Sequence, residues 1–427
     1  MVNNLLSVWG TIGSVLLAIL ILLIMITVHE FGHWVAGKIL KFKIDEFSIG
    51  FGPALFKKKK KNGEVFSLRL IPLGGYCSFH GEDGLEEEER LPEPFPETQE
   101  EPIAAEPQNA SPAAEPSPEA KKKRRTPEWK SKPDDGSFTR KAPWKRLIVL
   151  VAGAFMNYVL ALVVILICFF AYGQTMIGVS KVAVSEEFPQ EYSLRDGDVL
   201  LEANGKKLYL ANDVALALNG KKAGEEVSLR VSRIIGTKTD DQGETVNVRE
   251  VREITVKLRS DVTVKSSADT DCVWGALGAE YLEGEDGSGG YALGYRLFRF
   301  GFFETVGRSF VYSFKIAGSV LRVLGELLTG RLGLSAFGGP VTTIKMTSQI
   351  ASSSFRSFLE ISGFIGVNLA VFNLLPIPAL DGSKFVFTVI EWIRGKPISR
   401  KIEAIIHAAG FIFLLGFAVL VDILQFV

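Results

Sequence analysis

The run SVLLAILILLIMITVHEFGHW, Ser14 to Trp34, places two histidines and a glutamate at the end of a long apolar segment. Residues 1–28 carry no ionisable side chain, and a bilayer-crossing helix needs only about 20 apolar residues. The segment lacks the basic start and small-residue cleavage site of a secretory signal. On a helix, residues four apart share a face, so His29 and His33 can hold one metal ion. Glu30, between them, then faces the open side of that metal, where it can take a proton from water. Burying a glutamate in a membrane is costly, so an ionisable group there reads as functional. The metal this pattern calls for is Zn²⁺.

The chain has 427 residues, 47% of them hydrophobic and 22% charged, with a formal net charge of zero. That balance implies membrane spans joined to a water-soluble module. Further uncharged runs cover 147–172, 361–380 (broken by Asn368, Asn373, Pro376 and Pro378) and 405–421, which contains His407. Basic residues gather in two loops. Lys57–Lys61, Lys121–Arg125, Lys141, Lys145 and Arg146 lie between spans one and two; Arg394, Lys396, Arg400 and Lys401 lie between spans three and four. The positive-inside rule makes both loops cytoplasmic and puts both termini and residues 173–357 outside. Cys77, Cys168 and Cys272 are too far apart for a ligand cluster or a disulfide framework. A zinc site needs a third protein ligand. Asp381 is the candidate, because spans one and three run in the same direction and carry their motifs near their inner ends. His80 and His407 compete for the role but have no supporting motif.

The organisation expected is transmembrane helix 1 with the zinc motif (1–40), a membrane-associated β-hairpin (41–81), a disordered cytoplasmic linker (82–143) and transmembrane helix 2 (144–173). An extracytoplasmic β-rich domain (174–262), a linker (263–295) and an amphipathic interfacial helix (296–336) follow, then a helix 3 region (337–390) and a loop with helix 4 (391–427). Lys61-Asn62-Gly63-Glu64 reads as a type I′ hairpin turn. The acidic, Pro- and Ala-rich stretch after residue 82 contains too little apolar matter to fold. Arg308, Lys315 and Arg322 share a helix face opposite Phe310, Val311, Phe314 and Leu321. Short alternating strands around Gly197-Asp198-Val199-Leu200 and Asn204-Gly205 resemble a PDZ domain in the permuted bacterial form, with Phe188–Leu194 bordering its peptide groove.

His29–His33 in span one, Asn373…Leu380-Asp381-Gly382 in span three and an intervening PDZ domain together resemble the site-2 protease family, specifically its bacterial single-PDZ branch. The resemblance implies an α-helical membrane protein with four transmembrane helices, a membrane-associated β-hairpin and one inserted β-rich PDZ domain. It implies that His29, His33 and Asp381 bind zinc, that Glu30 activates water, and that Asn373 helps hold the substrate or its oxyanion. The hairpin near 54–71 resembles the family's re-entrant β element, which pairs with unwound substrate. The activity implied is cleavage within transmembrane segments of single-span substrates such as anti-sigma factors or remnant signal peptides, with a peptide at the PDZ groove and no nucleic-acid partner. The setting implied is the bacterial inner membrane, with the active site near the cytoplasmic side. A catalytically silent PDZ membrane scaffold is the alternative.

Overall fold

A computed structural model describes residues 2–82, 128–185, 192–239, 245–283, 289–334 and 338–426. Most of the expected 82–143 linker and of the Phe188–Leu194 loop lies outside them. The chain begins with α1 (Val2–Ile39), β1 (Ile44–Lys59), β2 (Val65–Phe79), α2 (Glu128–Ser131) and α3 (Pro143–Tyr172). There follow β3 (Gln174–Val179), β4 (Val199–Ala203), β5 (Lys206–Lys207), α4 (Asp213–Leu218), β6 (Glu226–Thr239), β7 (Thr245–Lys257) and α5 (Asp271–Ala276). Then come β8 (Tyr281–Glu283), β9 (Gly289–Tyr291), β10 (Leu293–Phe298), α6 (Phe302–Leu328), α7 (Pro340–Ser353), α8 (Phe355–Leu374), α9 (Asp381–Arg394) and α10 (Arg400–Phe426).

Among the described residues, four helices are long and apolar enough to cross a membrane: Val15–Ile39, Pro143–Tyr172, Phe355–Leu374 and Lys401–Gln425. A helix is the form that satisfies every backbone polar group within one segment, as lipid demands. The third span begins and ends six residues before the expected 361–380. Pro376 and Pro378 cannot continue a helix, so α8 stops at Leu374 and the chain re-enters helix only at Asp381. The chain divides into two compact units, one of residues 1–25, 156–372 and 415–427, the other of 26–155 and 373–414.

The first unit contains a mixed-length sheet in the order β10-β3-β4-β6-β7, with β5 added to β4. In β6, Val227, Leu229 and Val231 are buried while Glu226 and Arg230 face out, the period of two that a half-buried strand requires. The segment 263–295, expected to be a linker, is part of this domain. Val273, Trp274, Ala276 and Leu277 are buried in its core, and β10 pairs antiparallel with β3 from Leu293↔Val179 to Phe298↔Gln174. The apolar Val273-Trp274 pair fills a core that would otherwise be open.

The Gly197-Asp198 motif is structural. Gly197 takes a φ of +78°, and Asp198 is fully buried. Arg233 grips both its oxygens (Nη2–Oδ2 2.6 Å, Nε–Oδ1 3.0 Å), while the Arg195 N–H donates to it at 2.9 Å. Removing one partner of a buried pair strands the other charge. Asp198→Ala is therefore expected to lower this domain's unfolding free energy by about 3–5 kcal/mol, measurable by urea titration.

The helix expected over 296–336 starts later, at Phe302, because 293–298 is strand. Of its three aligned cations, Arg308 and Lys315 are packed against the domain while Arg322 is exposed. Arg308 is buried, its guanidinium 3.9 Å from the Phe300 ring centre and 4.6 Å from that of Tyr209. It donates to Gln174 Oε1 at 2.7 Å and to the Leu208 carbonyl. Lys315 pairs with Asp213 at 2.8 Å. Phe310, Phe314 and Leu321 are left exposed on the other face.

In the second unit β1 folds within its own hairpin. Glu46–Ile49 stands opposite Gly75–Ser78 on one edge and Val65–Leu68 on the other, and Ala54–Lys59 lies beyond Val65–Arg69. The turn differs from the type I′ expectation: Gly63 alone has positive φ (+90°), and Asn62 does not. Asn62 instead uses its side chain, accepting the Glu64 N–H at 3.3 Å and donating to the Glu64 carboxylate at 3.2 Å. Burial works against the Glu64 charge, but donation from Lys38 Nζ (2.7 Å), Trp34 Nε1 (2.6 Å) and Asn62 outweighs it and holds the carboxyl down at about 2. This ties the hairpin tip to the end of α1. At the base, Phe42, Ile44, Phe79 and Phe138 pack with Val149 and Leu150 of α3. The end of the expected linker is thus ordered, because Phe138 supplies an apolar anchor.

Candidate active site

The site is assembled from α1, α3 and the turn into α9, all within the second unit. His29 and His33 lie one helical turn apart on the buried face of α1, with rings 4.7 Å apart and edge to face. Gly153 of α3 allows that approach. A Cβ there would stand 2.3 Å from His33 Nε2 and 2.8 Å from His29 Cε1. His33 Nδ1 donates to the Val149 carbonyl at 2.8 Å, which leaves Nε2 with a free electron pair.

Asp381, the first residue of α9, brings Oδ2 to 2.9 Å from His29 Nε2 and 3.2 Å from His33 Nε2; the two nitrogens are 3.1 Å apart. Gly382 makes the placement possible. A Cβ at that position would lie 2.2 Å from the Leu375 carbonyl oxygen and 2.5 Å from that of Leu374.

Electron pairs this close repel unless a proton or a cation lies among them. Two imidazoles and one carboxylate are a donor set of catalytic zinc, which keeps its fourth position open. Spacings of 2.9–3.2 Å fall just below the edge of about 3.3 Å in a tetrahedron with zinc bonds of about 2.05 Å. The residues fit the ion. Among the described residues, this trio is the group able to hold a metal.

Glu30 lies outside that trio. Its side chain packs on Gly75, where a Cβ would meet Glu30 Cγ at 3.2 Å. Asn373, near the end of α8, has its amide nitrogen Nδ2 3.3 Å from His29 Nδ1. The competing histidines are engaged elsewhere: His80 pairs with Asp45 at 3.1 Å, and His407 accepts the Ala379 N–H at 3.0 Å. Val149 and Gly153 carried no sequence signal, being ordinary members of an apolar run.

The model of peptidase family M50 matches residues 17–417. A Clostridium perfringens protein named a zinc metalloprotease is 29% identical over 410 residues, covering 96% of this chain and 97% of its own. Zinc metalloprotease RasP of Bacillus licheniformis is 27% identical, covering 94% of this chain and 96% of its own. A Streptococcus pyogenes protein, also named a zinc metalloprotease, is 28% identical with coverage of 92% and 93%. A family match over nearly the whole length, four apolar helices and a zinc-compatible donor set agree: the chain belongs to peptidase family M50, the site-2 protease family, and is an integral membrane zinc metalloprotease.

Proposed function

We propose that the protein cuts peptide bonds within transmembrane segments of single-span proteins, anti-sigma factor-like regulators or remnant signal peptides among them. The observation that carries this reading is the meeting of His29, His33 and Asp381 beside helices able to span a membrane. In this reading those three residues hold the zinc. The ion supplies Lewis acidity, acidifying water toward a pKa of about 7 and polarising the scissile carbonyl. Glu30 accepts the proton of the attacking water and returns it to the departing amine. Coordination through His29 Nε2 requires a proton on Nδ1; the Asn373 amide, whose Nδ2 lies 3.3 Å from Nδ1, serves that proton when turned end for end so that its oxygen accepts, which turns its NH₂ group to the substrate carbonyl.

A helical substrate must unwind before its carbonyls can be attacked. The exposed Ala54–Lys59 strand of the hairpin, carrying Leu55 and Phe56 on the surface, supports a role in holding it extended. The sheet of β3, β4, β6, β7 and β10 with α4 is read as a PDZ domain that receives a peptide. The basic loops favour a cytoplasmic site, extracytoplasmic termini and an extracytoplasmic PDZ domain in a bacterial inner membrane. The test is co-expression with a tagged single-span protein. Wild type is expected to release a fragment cut inside the span, and His33→Ala none; cleavage confined to sites outside the span would defeat the intramembrane reading.

A further inference from the structure

We propose that His407, on α10, is a positioning residue for the zinc site. It accepts the Ala379 N–H and so, together with the Ile377 N–H to Leu375 and Leu380 N–H to Ile377 bonds, holds the turn between α8 and α9 in the form from which Asp381 reaches the two histidines. The inference rests on the ligand reading above and adds to it a residue from the last helix.

The turn is under constraint. Pro376 and Pro378 fix two of its φ angles and remove two donors. Ala379 has a φ of +75°, a region that residues with a Cβ rarely adopt. Such a conformation persists only where its surroundings over-determine it. The Ala379 N–H belongs to no helix, and its partner is His407 Nδ1 at 3.0 Å. His407 lies, half-buried, inside the apolar Lys401–Gln425 segment, and Ala379 is on the exposed side of the turn.

The rest of α10 is shaped to the same purpose. Gly410, close to one turn beyond His407, faces Pro378 so tightly that a Cβ would stand 2.2 Å from the proline Cβ. The His407 ring meets Phe387 of α9 edge to face, with centres 5.7 Å apart. Because Nδ1 accepts, the ring proton sits on Nε2, whose nearest carboxylate, Glu403, is 4.0 Å away. The body of α9 is held separately, by Arg146–Glu391 at 3.1 Å and Lys384–Glu82 at 2.8 Å. Those pairs lie beyond Asp381, so the approach to it depends on the turn, and Ala379 is two residues away.

The full chain in detergent, titrated with a zinc chelator, tests this. His407→Leu removes the acceptor and is expected to weaken zinc retention about 10-fold or more. His407→Asn, which keeps an acceptor near the Nδ1 position, is expected to recover most of it. Adding Ala379→Gly to His407→Leu is also expected to restore binding, because glycine takes positive φ without steric cost. Zinc held as tightly by His407→Leu as by wild type overturns the proposal, and so does His407→Asn as weak as His407→Leu. Should His407→Leu not accumulate, the double variant decides: zinc-tight supports the proposal, zinc-poor overturns it. Wild type that holds no zinc, or Asp381→Ala that holds as much, would instead remove the ligand reading beneath it.

Discussion

Glu30→Gln is expected to cut turnover about 10²–10⁴-fold while each chain keeps its zinc. Glutamine matches glutamate in size and can preserve the packing on Gly75, but it cannot take a proton from water. Since Glu30 stands outside the ligand trio, the change reaches proton transfer and leaves the donor set alone. The effect should fall on kcat with KM nearly unchanged. His33→Ala is the contrast, expected to lose metal and activity together. Paired measurements of kcat and zinc stoichiometry separate the two. A Glu30→Gln enzyme that turns over at the wild-type rate would take the assigned base with it.

The second large effect is expected from a single methyl group. Gly382→Ala places a Cβ against two backbone carbonyls, at 2.2 and 2.5 Å, and backbone cannot step aside as a side-chain tip can. Asp381 is the adjacent residue, so the clash must be relieved by moving the carboxylate away from the histidines. A displacement of an ångström at a reacting centre is worth about 10²-fold in rate, and here the zinc is expected to leave as well. Gly153→Ala should be milder. Its Cβ meets the imidazoles of His33 and His29, which are side chains, although Val149 pins one of them at 2.8 Å. Zinc content and activity ordered wild type, Gly153→Ala, Gly382→Ala is the expected result; a Gly382→Ala protein with full zinc and full rate would show that the turn tolerates the methyl.

The parts of the site that could be read from the chain were those governed by short, regular spacing. His29 and His33 are one helical turn apart, so their common face follows from geometry alone. Chemical need called for a third ligand, since two imidazoles do not complete a zinc site; the depth of the two spans made Asp381 the candidate over His80 and His407, and the resemblance to the site-2 proteases implied the same residue. The supporting shell was illegible for a different reason. Nothing in the run Leu147–Tyr172 distinguishes the Gly153 that must face a histidine from one that faces lipid, and a carbonyl acceptor such as Val149 is present at every residue. His407 had no motif because its partner is a backbone N–H. The β-rich domain was misjudged at its end because β10 joins β3 across most of the domain's length, and no local pattern records so distant a pairing. The hairpin turn was misjudged because Asn62 satisfies its neighbour with a side chain in place of a positive φ.

Anyone excising the β-rich domain for solution work inherits a boundary problem from the way β10 and α6 join it. A fragment stopped at residue 262 would leave the β3 edge bare and forfeit the Trp274 side of the interior. Extending it through Phe298 repairs the sheet, yet Gln174 and the Leu208 carbonyl would still lack the guanidinium that α6 delivers. Carrying α6 along supplies Arg308 and at the same time exposes Phe310, Phe314 and Leu321 to water. Solubility and integrity therefore pull the cut site in opposite directions, and a detergent-like additive is the natural companion of the longer piece.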